Sequence, residues 1–296
     1  MRRIDGMNKN WRPVATTVLL LQLSACAHQP VSTEANVGPE TTTEVSLCRD
    51  LLATNWGTSD ELDASNISLF NWNVHKTRER GWRDDFDALA GAADLVLFQE
   101  ASIREETIAE IDSSRHWSFA PGYTKLGEVT GVMTLSSIKP LAQCSFTHAE
   151  PWLRTPKATS VTQYALSDTE ETLVVVNVHA VNFSFGTADF KEQFRQIGQV
   201  LENHTGPIIL SGDLNTWRER RVQIVNEVAD SLSLKAVGFD IDNRVQFFGN
   251  TLDHIYIRGL HILDTGTEIV SSSDHNPMTA IFGVTQLASG PAVTAE

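Results

Sequence analysis

The sequence lacks a glycine-rich phosphate loop between a strand and a helix, which argues against a nucleotide cofactor. It has no internal repeat, so repeat architectures are excluded. It is also poor in positive charge, with 23 Lys and Arg against 37 Asp and Glu and a formal net charge of −14. A surface of this kind repels polyanions at long range and opposes tight nonspecific binding to duplex nucleic acid. A local basic rim is still compatible with that balance.

Long apolar runs are scarce as well. The run from Val14 to Leu23 is too short to span a bilayer as a mature helix, and it follows a basic segment. This pattern predicts a signal peptide over residues 1–25, with Met7 as an alternative start. The sequence Leu23-Ser24-Ala25-Cys26 resembles a bacterial lipobox, which implies cleavage before Cys26 and lipidation of that residue. The alternative is an ordinary secretory signal followed by a chance cysteine.

Ala27, rather than Asp, follows the cysteine of this motif. In the lipoprotein-sorting pattern, that residue implies an outer-membrane anchor, with the protein facing the periplasm. Inner-membrane retention and surface display are the alternatives. The resulting expectation is an envelope protein held at the membrane through an N-terminal lipid.

Cysteine is rare, with three residues in the chain. If Cys26 carries lipid, Cys48 and Cys144 remain in a compartment that permits disulfides. We predict a bridge between them, and two unpaired buried thiols are the alternative.

Residues 26–44 are polar and lack apolar periodicity, which predicts a flexible tether after the lipidated cysteine. Residues 45–286 form the predicted domain, and residues 287–296 a disordered tail. Within the domain, apolar strand patterns alternate with helical patterns over Trp82 to Ala92, Ala188 to Asn203 and Trp217 to Asp230. That alternation indicates an α/β fold. A monomer is the expected state.

Polar groups recur where apolar strands end. Pro207-Ile208-Ile209-Leu210 precedes Asp213, and similar apolar runs carry the following residues: Asn73, Glu100, His179 and Asp253. Each position taken alone is more often a helix cap or a turn residue. Several strand ends that deliver such groups to one rim predict an α/β active site.

The order of these motifs resembles the endonuclease/exonuclease/phosphatase superfamily over about Ile67 to Val284. The motifs are Asn73, Gln99-Glu100, Asn177-Val178-His179, Gly212-Asp213-Leu214-Asn215, Leu252-Asp253 and Ser273-Asp274-His275. Details such as Asn71-Trp72-Asn73-Val74 look like its YafD-like bacterial branch. The resemblance implies a DNase I-like four-layer sandwich, in which helices flank two mixed β-sheets. It also implies a divalent-metal-dependent phosphoric ester hydrolase.

The resemblance further implies a role for each matching residue. Glu100 is expected to bind Mg²⁺ or Mn²⁺, with Asn73 and Asp274 as neighbours of the ion, because carboxylate and amide oxygens suit these hard cations. His275 is the expected general base, oriented by Asp253. His179 would donate to a phosphoryl oxygen. Asp213 and Asn215 would position the nucleophile and assist the leaving oxygen.

The expected substrate is a phosphodiester, with nucleic acid ahead of phospholipid or sphingomyelin head groups. The predicted substrate contacts are Arg154, Lys157 and Asn182. Basic clusters near Asn73 and Asn215 offer further phosphate contacts, or form ordinary solvated surface. A lipid anchor favours a lipid substrate, because it concentrates the enzyme at the membrane. A non-catalytic envelope lipoprotein that uses the fold for binding is the second alternative.

Overall fold

The computed structural model describes residues 41–42, 44–54, 57, 60–103, 115–125, 127–150, 155–184 and 186–285. The predicted signal peptide, Cys26, most of the predicted tether, the predicted tail and Arg154 lie outside these residues. In chain order, the strands are β1 (Thr41–Thr42), β2 (Ile67–Asn73), β3 (Leu95–Ile103), β4 (His116–Lys125), β5 (Glu128–Ser136), β6 (Ala142–Ala149), β7 (Pro156–Ala165), β8 (Thr172–His179), β9 (Ile208–Asp213), β10 (Lys235–Ala236), β11 (Gln246–Phe247), β12 (Asn250–Thr251), β13 (Asp253–Arg258), β14 (Leu260–Thr267) and β15 (Met278–Val284). The helices are α1 (Val45–Leu52), α2 (Trp82–Ala90), α3 (Ala188–Leu201) and α4 (Glu219–Ser231), and a 3₁₀ turn covers His75–Thr77.

The strands form two mixed sheets and one small hairpin. The first sheet has the order β1-β6-β7-β8-β9-β13-β10, the second has the order β14-β15-β2-β3-β5-β4, and β11 pairs with β12. One apolar core lies between the sheets, while helices pack on their outer faces through two further cores. The predicted α/β sandwich of two mixed sheets flanked by helices is confirmed.

Strand β8 shows why a continuous apolar run fits this arrangement. Successive side chains point to opposite faces of a strand, and both faces of this sheet are covered. Val174 and Val176 therefore pack into the helical core, whereas Leu173 and Val175 pack between the sheets. The run of valines is buried on both sides.

The helices lie where sequence periodicity predicts them. Helices α2, α3 and α4 match the three predicted windows, and each helix end lies within two residues of the predicted one. In α3, the spacing of Phe190, Phe194 and Ile197 places all three side chains in the core shared with the first sheet. Within the described residues, no helix is long and apolar enough to cross a bilayer.

The start of the described chain is tied to the first sheet. Thr41 and Thr42, inside the segment predicted as a tether, pair in parallel with Gln143 and Cys144 near the beginning of β6. Cys48 of α1 forms a disulfide with Cys144, with 5.6 Å between their Cα atoms.

The two sheets share one edge that is rich in polar side chains. Strands β2, β8 and β9 end there and β13 begins there, so the motif residues are carried to the same side of the sandwich. We call this side the polar edge. The pairing of β1 with β6 lies toward the opposite side, because β6 runs parallel to β8.

Candidate active site

Three side chains lie in register at the polar edge of the first sheet. His179 pairs with Asp213, and Asp213 pairs with Asp253. Residues paired directly across strands present their side chains to the same face. His275, from the loop between β14 and β15, completes the group.

Asp213 joins the two sheets through hydrogen bonds. Asn73, at the end of β2, donates its Nδ2 to Asp213 Oδ2 at 3.1 Å. Asn215 donates its backbone N–H to Asp213 Oδ1 at 3.0 Å and its Nδ2 to the carbonyl oxygen of Ala180 at 2.9 Å. Asn215 has a φ of 49°, a left-handed conformation that Asn tolerates better than most residues.

His275 is held between two carboxylates. Its Nδ1 lies 2.7 Å from Asp253 Oδ2, and its Nε2 lies 3.9 Å from Asp213 Oδ2. Trp72 is buried and fixes the same loop by donating its Nε1 to the His275 carbonyl oxygen at 2.9 Å. Burial alone would lower the pKa of His275, but Asp253 and Asp213 raise it to about 10. The imidazole is therefore protonated near neutral pH in this arrangement.

The pKa of Asp213 is raised above that of an ordinary aspartate. Burial raises its pKa to about 6, since the nearby Asp253 adds to the effect and His275 only partly offsets it. Asp213 is thus ionised near pH 7 but far more basic than an exposed carboxylate.

Glu100 lies at a β-bulge in β3 with a φ of 51°. Its carboxylate accepts a hydrogen bond from Lys76 Nζ, and its Oε1 lies 4.0 Å from Lys157 Nζ and 3.7 Å from His179 Nε2. Burial would raise the pKa of Glu100, but His179, Lys157 and Lys76 hold it at about 2. The pKa of His179 is itself well below its usual value, so near pH 7 the positive charge beside Glu100 comes from the two lysines.

His179 is a neutral acceptor in this arrangement. Burial and the nearby Lys157 hold the pKa of His179 well below its usual value. Lys157 Nζ donates to His179 Nε2 at 2.8 Å, and Gln193 fixes the end of the strand by donating to the His179 carbonyl oxygen at 3.1 Å. The predicted donor to a phosphoryl oxygen is therefore paired with a lysine ammonium group.

The donor groups at the polar edge suit a divalent cation. One ligand atom from each of Asp213, Asp253 and His275 lies within 4.8 Å of the others. Asp253 Oδ1 is buried and has no hydrogen-bond partner among the described residues. An unpaired carboxylate oxygen beside a second buried aspartate matches the ligand preferences of Mg²⁺ and Mn²⁺, and Glu100 adds a hard oxygen donor nearby. His275 could join such a ligand set only after losing its proton.

Two of the predicted site residues make their contacts with residues outside this group. The side chain of Asp274 is 63% exposed, and its Oδ1 lies 3.9 Å from His75 Nδ1. The Asn182 side chain accepts a hydrogen bond from Trp217 Nε1 at 3.0 Å, and its backbone N–H donates to Glu150 Oε1 at 2.8 Å. Asn182 thus shapes the loop after β8.

The three arginines that follow Asn215 differ in their exposure to solvent. Arg218 and Arg220 are exposed on or beside α4, but Arg221 is 1% exposed, so it belongs neither to a basic rim nor to solvated surface, the two alternatives for this cluster. Arg221 lies on the core-facing side of α4. Its guanidinium donates to the carbonyl oxygens of Val181, Asn182 and Asn215.

Two buried residues support the site without a local sequence signal. Glu150 is 1% exposed and accepts the backbone N–H groups of Asn182 and Phe183. Gln193 of α3 accepts the backbone N–H of Val181 at 2.9 Å. Their partners lie 12 to 33 positions away, so neither contact follows from neighbouring residues.

Comparison with known proteins gives a consistent result. A profile described as "Endonuclease/Exonuclease/phosphatase family" matches residues 70–275. A UPF0294 protein of Vibrio campbellii is 34% identical over 246 residues, which cover 82% of this chain and 86% of that protein.

Solved structures show the same fold at low sequence identity. An endonuclease/exonuclease/phosphatase from Beutenbergia cavernae aligns with a TM-score of 0.58 and 15% identity, over 74% of this chain and 72% of that one. The human Nocturnin catalytic domain, solved with a bound sulfate anion, aligns with a TM-score of 0.57 and 15% identity, over 76% and 96% of the two chains.

Proposed function

Because this chain belongs to the endonuclease/exonuclease/phosphatase family, we propose that it is a divalent-metal-dependent phosphoesterase that hydrolyses phosphodiester bonds. The observation that carries the proposal is the buried group of His179, Asp213 and Asp253, in register across one sheet, with His275 held by Asp253 at 2.7 Å. Hydrolysis needs a base, a proton donor and neutralisation of phosphoryl charge. This group offers the first two, and Lys76 and Lys157 beside Glu100 offer positive charge for the third.

The protonation states suggest how Asp213 and His275 divide the proton transfers. Asp213, ionised and with its pKa raised to about 6, suits acceptance of a proton from the attacking water. His275, with its pKa raised to about 10, suits donation to the leaving oxygen or stabilisation of its charge. This assigns to Asp213 the base role that the sequence predicts for His275. Asn73 and Asn215 hold the Asp213 carboxylate in place.

We propose Glu100, Asn73 and Asp274 as the residues that hold the cation, with Asp213, Asp253 and His275 as the alternative set. A bound Mg²⁺ or Mn²⁺ would supply charge neutralisation at the non-bridging oxygens of the phosphate. Lys76 and Lys157 already place positive charge beside Glu100. Their proposed role is to contact one phosphate group of the substrate.

Two of the arginines after Asn73 are already paired with carboxylates, which favours a single phosphate contact at the two lysines over a long basic groove there. Arg78 pairs with Glu128 at 2.8 Å, and Arg83 pairs with Asp87 at 2.9 Å. Single- and double-stranded nucleic acid and lipid head groups all contain a phosphodiester that two lysines can bind. A location in the cell envelope, through lipid at Cys26, remains part of the proposal.

The proposal is tested with the chain from Ala27 onward, which contains every described strand, helix and core residue. Product release is followed from a chromogenic phosphodiester, single- and double-stranded DNA and sphingomyelin, each with Mg²⁺, Mn²⁺ or EDTA. We expect turnover that requires the metal. Replacement His275→Ala should lower kcat on the order of 10²-fold or more, and Glu100→Gln should raise the Mn²⁺ concentration needed for half-maximal rate.

His261→Ala is the matched control, because His261 is exposed on β14 away from the polar edge. It should retain the wild-type rate. Metal-dependent turnover that survives both active-site substitutions would refute the site assignment. A folded protein that binds Mn²⁺ but turns over none of these substrates would favour the non-catalytic binding protein.

A further inference from the structure

Exposed apolar side chains are concentrated at the polar edge. Eight large hydrophobic side chains are exposed among the described residues, and five of them lie on the loops and the hairpin of this edge. The five, which we call the apolar rim, are Phe183, Ile241, Phe247, Phe248 and Ile269. The other three are Leu47 on α1 and the neighbouring pair Ile262 and Leu263 on β14. An apolar concentration around one side of a soluble domain marks an interaction surface.

The hairpin of β11 and β12 places two phenylalanines outward. Its turn residues, Phe248 and Gly249, have φ values of 51° and 81°. Asn, Asp or Gly usually occupies the first such position, because a bulky side chain is unfavourable there. Phe248 is nevertheless 78% exposed, and its ring lies 4.5 Å from that of Phe247. The turn therefore carries an aromatic pair at a position where local preference favours a small polar residue.

Two isoleucines project from loops that are fastened to each other. Ile241 and Ile269 are 74% and 75% exposed. Thr267 Oγ1 donates to the Ile241 carbonyl oxygen at 2.8 Å, and Asn276 Nδ2 donates to the Asn243 carbonyl oxygen at 2.6 Å. The second bond is made by the residue that follows His275. The exposed isoleucines are thus held by the same loops that carry the active site.

Hydrogen bonds also connect the hairpin with the loops of the first sheet. Asn250 Nδ2 lies 3.5 Å from the Trp217 carbonyl oxygen, and Trp217 Nε1 donates to Asn182, the residue before Phe183. Asp253 follows directly after this hairpin in the chain. The apolar rim is therefore built on elements that adjoin the candidate active site.

The residue types of the apolar rim favour a lipid surface over nucleic acid as its partner. Aromatic rings stack on bases, but the branched aliphatic side chains of Ile241 and Ile269 do not offer that contact. Asp240 precedes Ile241 and Glu268 precedes Ile269 in the chain, and both carboxylates oppose a polyanion, whereas Asp242 is paired with Arg244 at 2.7 Å. Phenylalanine and isoleucine both enter the boundary between lipid head groups and acyl chains. We propose that the polar edge docks on a lipid surface through the apolar rim.

Docking in this orientation would turn the active-site group toward the head groups. The phosphodiester of a lipid head group then becomes the substrate that the site reaches first, and this part of the inference rests on the proposed function. The docking itself does not, because it requires neither metal nor turnover. A lipid anchor at Cys26 would raise the local concentration of membrane but would not replace the rim contacts.

The test measures partition of the chain from Ala27 onto phosphatidylcholine vesicles by co-sedimentation, in EDTA. We expect the wild-type chain to bind, with little change as the salt concentration is raised. The double variants Phe247→Ser/Phe248→Ser and Ile241→Ser/Ile269→Ser should each lower the partition coefficient on the order of tenfold or more. His275→Ala should bind as wild type, so loss of turnover and loss of docking are separate results.

The matched control is Ile262→Ser/Leu263→Ser, which removes an exposed apolar pair near the opposite edge. It should leave vesicle binding unchanged. Circular dichroism and urea unfolding confirm that each variant is folded. The proposal fails if wild type does not bind vesicles, if both rim variants bind as well as wild type, or if salt abolishes binding. It also fails if the rim variants lose single-stranded DNA binding while vesicle binding persists, because the rim would then be a nucleic-acid surface.

Discussion

Arg221 is a buried cation that stabilises the loops at the polar edge by donating hydrogen bonds to their backbone carbonyl oxygens. Replacement Arg221→Met would leave the carbonyl oxygens of Val181, Asn182 and Asn215 without this donor. An unsatisfied buried polar group costs roughly 1–3 kcal/mol. We therefore expect the free energy of unfolding to fall by roughly 2–4 kcal/mol in urea titrations, with a lower kcat because Asn215 loses its support.

Arg220→Met is the control on the same helix. Arg220 is exposed, and its guanidinium lies 3.8 Å from Glu227, so its loss should change the stability by less than about 1 kcal/mol. Equal destabilisation by the two substitutions would contradict the supporting role of Arg221.

His204 makes the stability depend on pH away from the active site. Burial lowers its pKa, and its Nε2 lies 3.1 Å from the Pro207 carbonyl oxygen. A histidine whose folded pKa is depressed contributes stability that is present above its unfolded pKa, about 6.5, and is lost as the pH falls through the folded pKa.

The free energy of unfolding should accordingly fall between pH 7.5 and pH 5.5. The variant His204→Gln keeps an amide donor near the position of Nε2 but cannot titrate. Its free energy of unfolding should therefore fall by less than that of wild type between the two pH values, as measured in urea titrations. If the free energy of unfolding falls equally in wild type and variant, His204 does not contribute to the pH dependence of stability.

Single residues also show what sequence can predict at this scale. Asp213, Asp253 and His275 are recognisable because each lies in a short motif beside a strand. The protonation state of His275 cannot be recognised in the same way, because its raised pKa depends on two carboxylates that only the folded chain brings within 4 Å. The ion pair of Lys76 with Glu100 depends in the same way on a left-handed turn and a bulge.

At the scale of elements, Gly212 permits the close pairing of β8 with β9. Its φ is 147°, and an added Cβ would overlap the Val178 carbonyl oxygen on the neighbouring strand. Gly212→Ala should therefore lower the free energy of unfolding by roughly 3 kcal/mol or more, measured in urea. It should also displace Asp213 and reduce turnover.

Gly198→Ala is the corresponding control in α3. There the nearest atom to an added Cβ would be Val228 Cγ1 at 3.7 Å, an ordinary contact. Alanine favours a helix over glycine by roughly 1 kcal/mol, so this variant should be as stable as wild type or more stable. If Gly212→Ala behaved likewise, the strand pairing would not require glycine.

The major elements follow from periodicity, and the small ones do not. The apolar spacing of α3 and the valine run of β8 are long enough to predict both elements. The β11–β12 hairpin has no local sequence signal, because its turn is Phe-Gly instead of the Asn-Gly or Asp-Gly pair that is typical of such turns. Tertiary neighbours hold that hairpin beside Trp217.

For the molecule as a whole, the Cys48–Cys144 disulfide joins residues 96 positions apart. In the chain-entropy model, a loop of this size contributes roughly 4–5 kcal/mol to stability. Adding reductant to the chain from Ala27 should therefore lower its unfolding midpoint in urea. The double variant Cys48→Ser/Cys144→Ser should resemble the reduced protein and show no response to reductant. A wild-type midpoint that ignores reductant would indicate unbonded cysteines.

The fold of the whole molecule was predictable, whereas its substrate was not. Six motifs in a fixed order specify which strand ends must meet, and therefore the sandwich. The substrate depends on surfaces made by distant loops, such as the ties between Ile241 and Thr267 or between Asn243 and Asn276. Exposure of Phe248 or Ile269 cannot be read from neighbouring residues alone.

The short β1 strand fixes where the chain enters the domain. It pairs with the beginning of β6, so this entry lies far from the polar edge. Eight residues of β6 span roughly 26 Å at about 3.3 Å per residue. Any attachment made through residues before Thr41 would therefore hold the domain by the end opposite the candidate active site, and the polar edge would face away from the point of attachment.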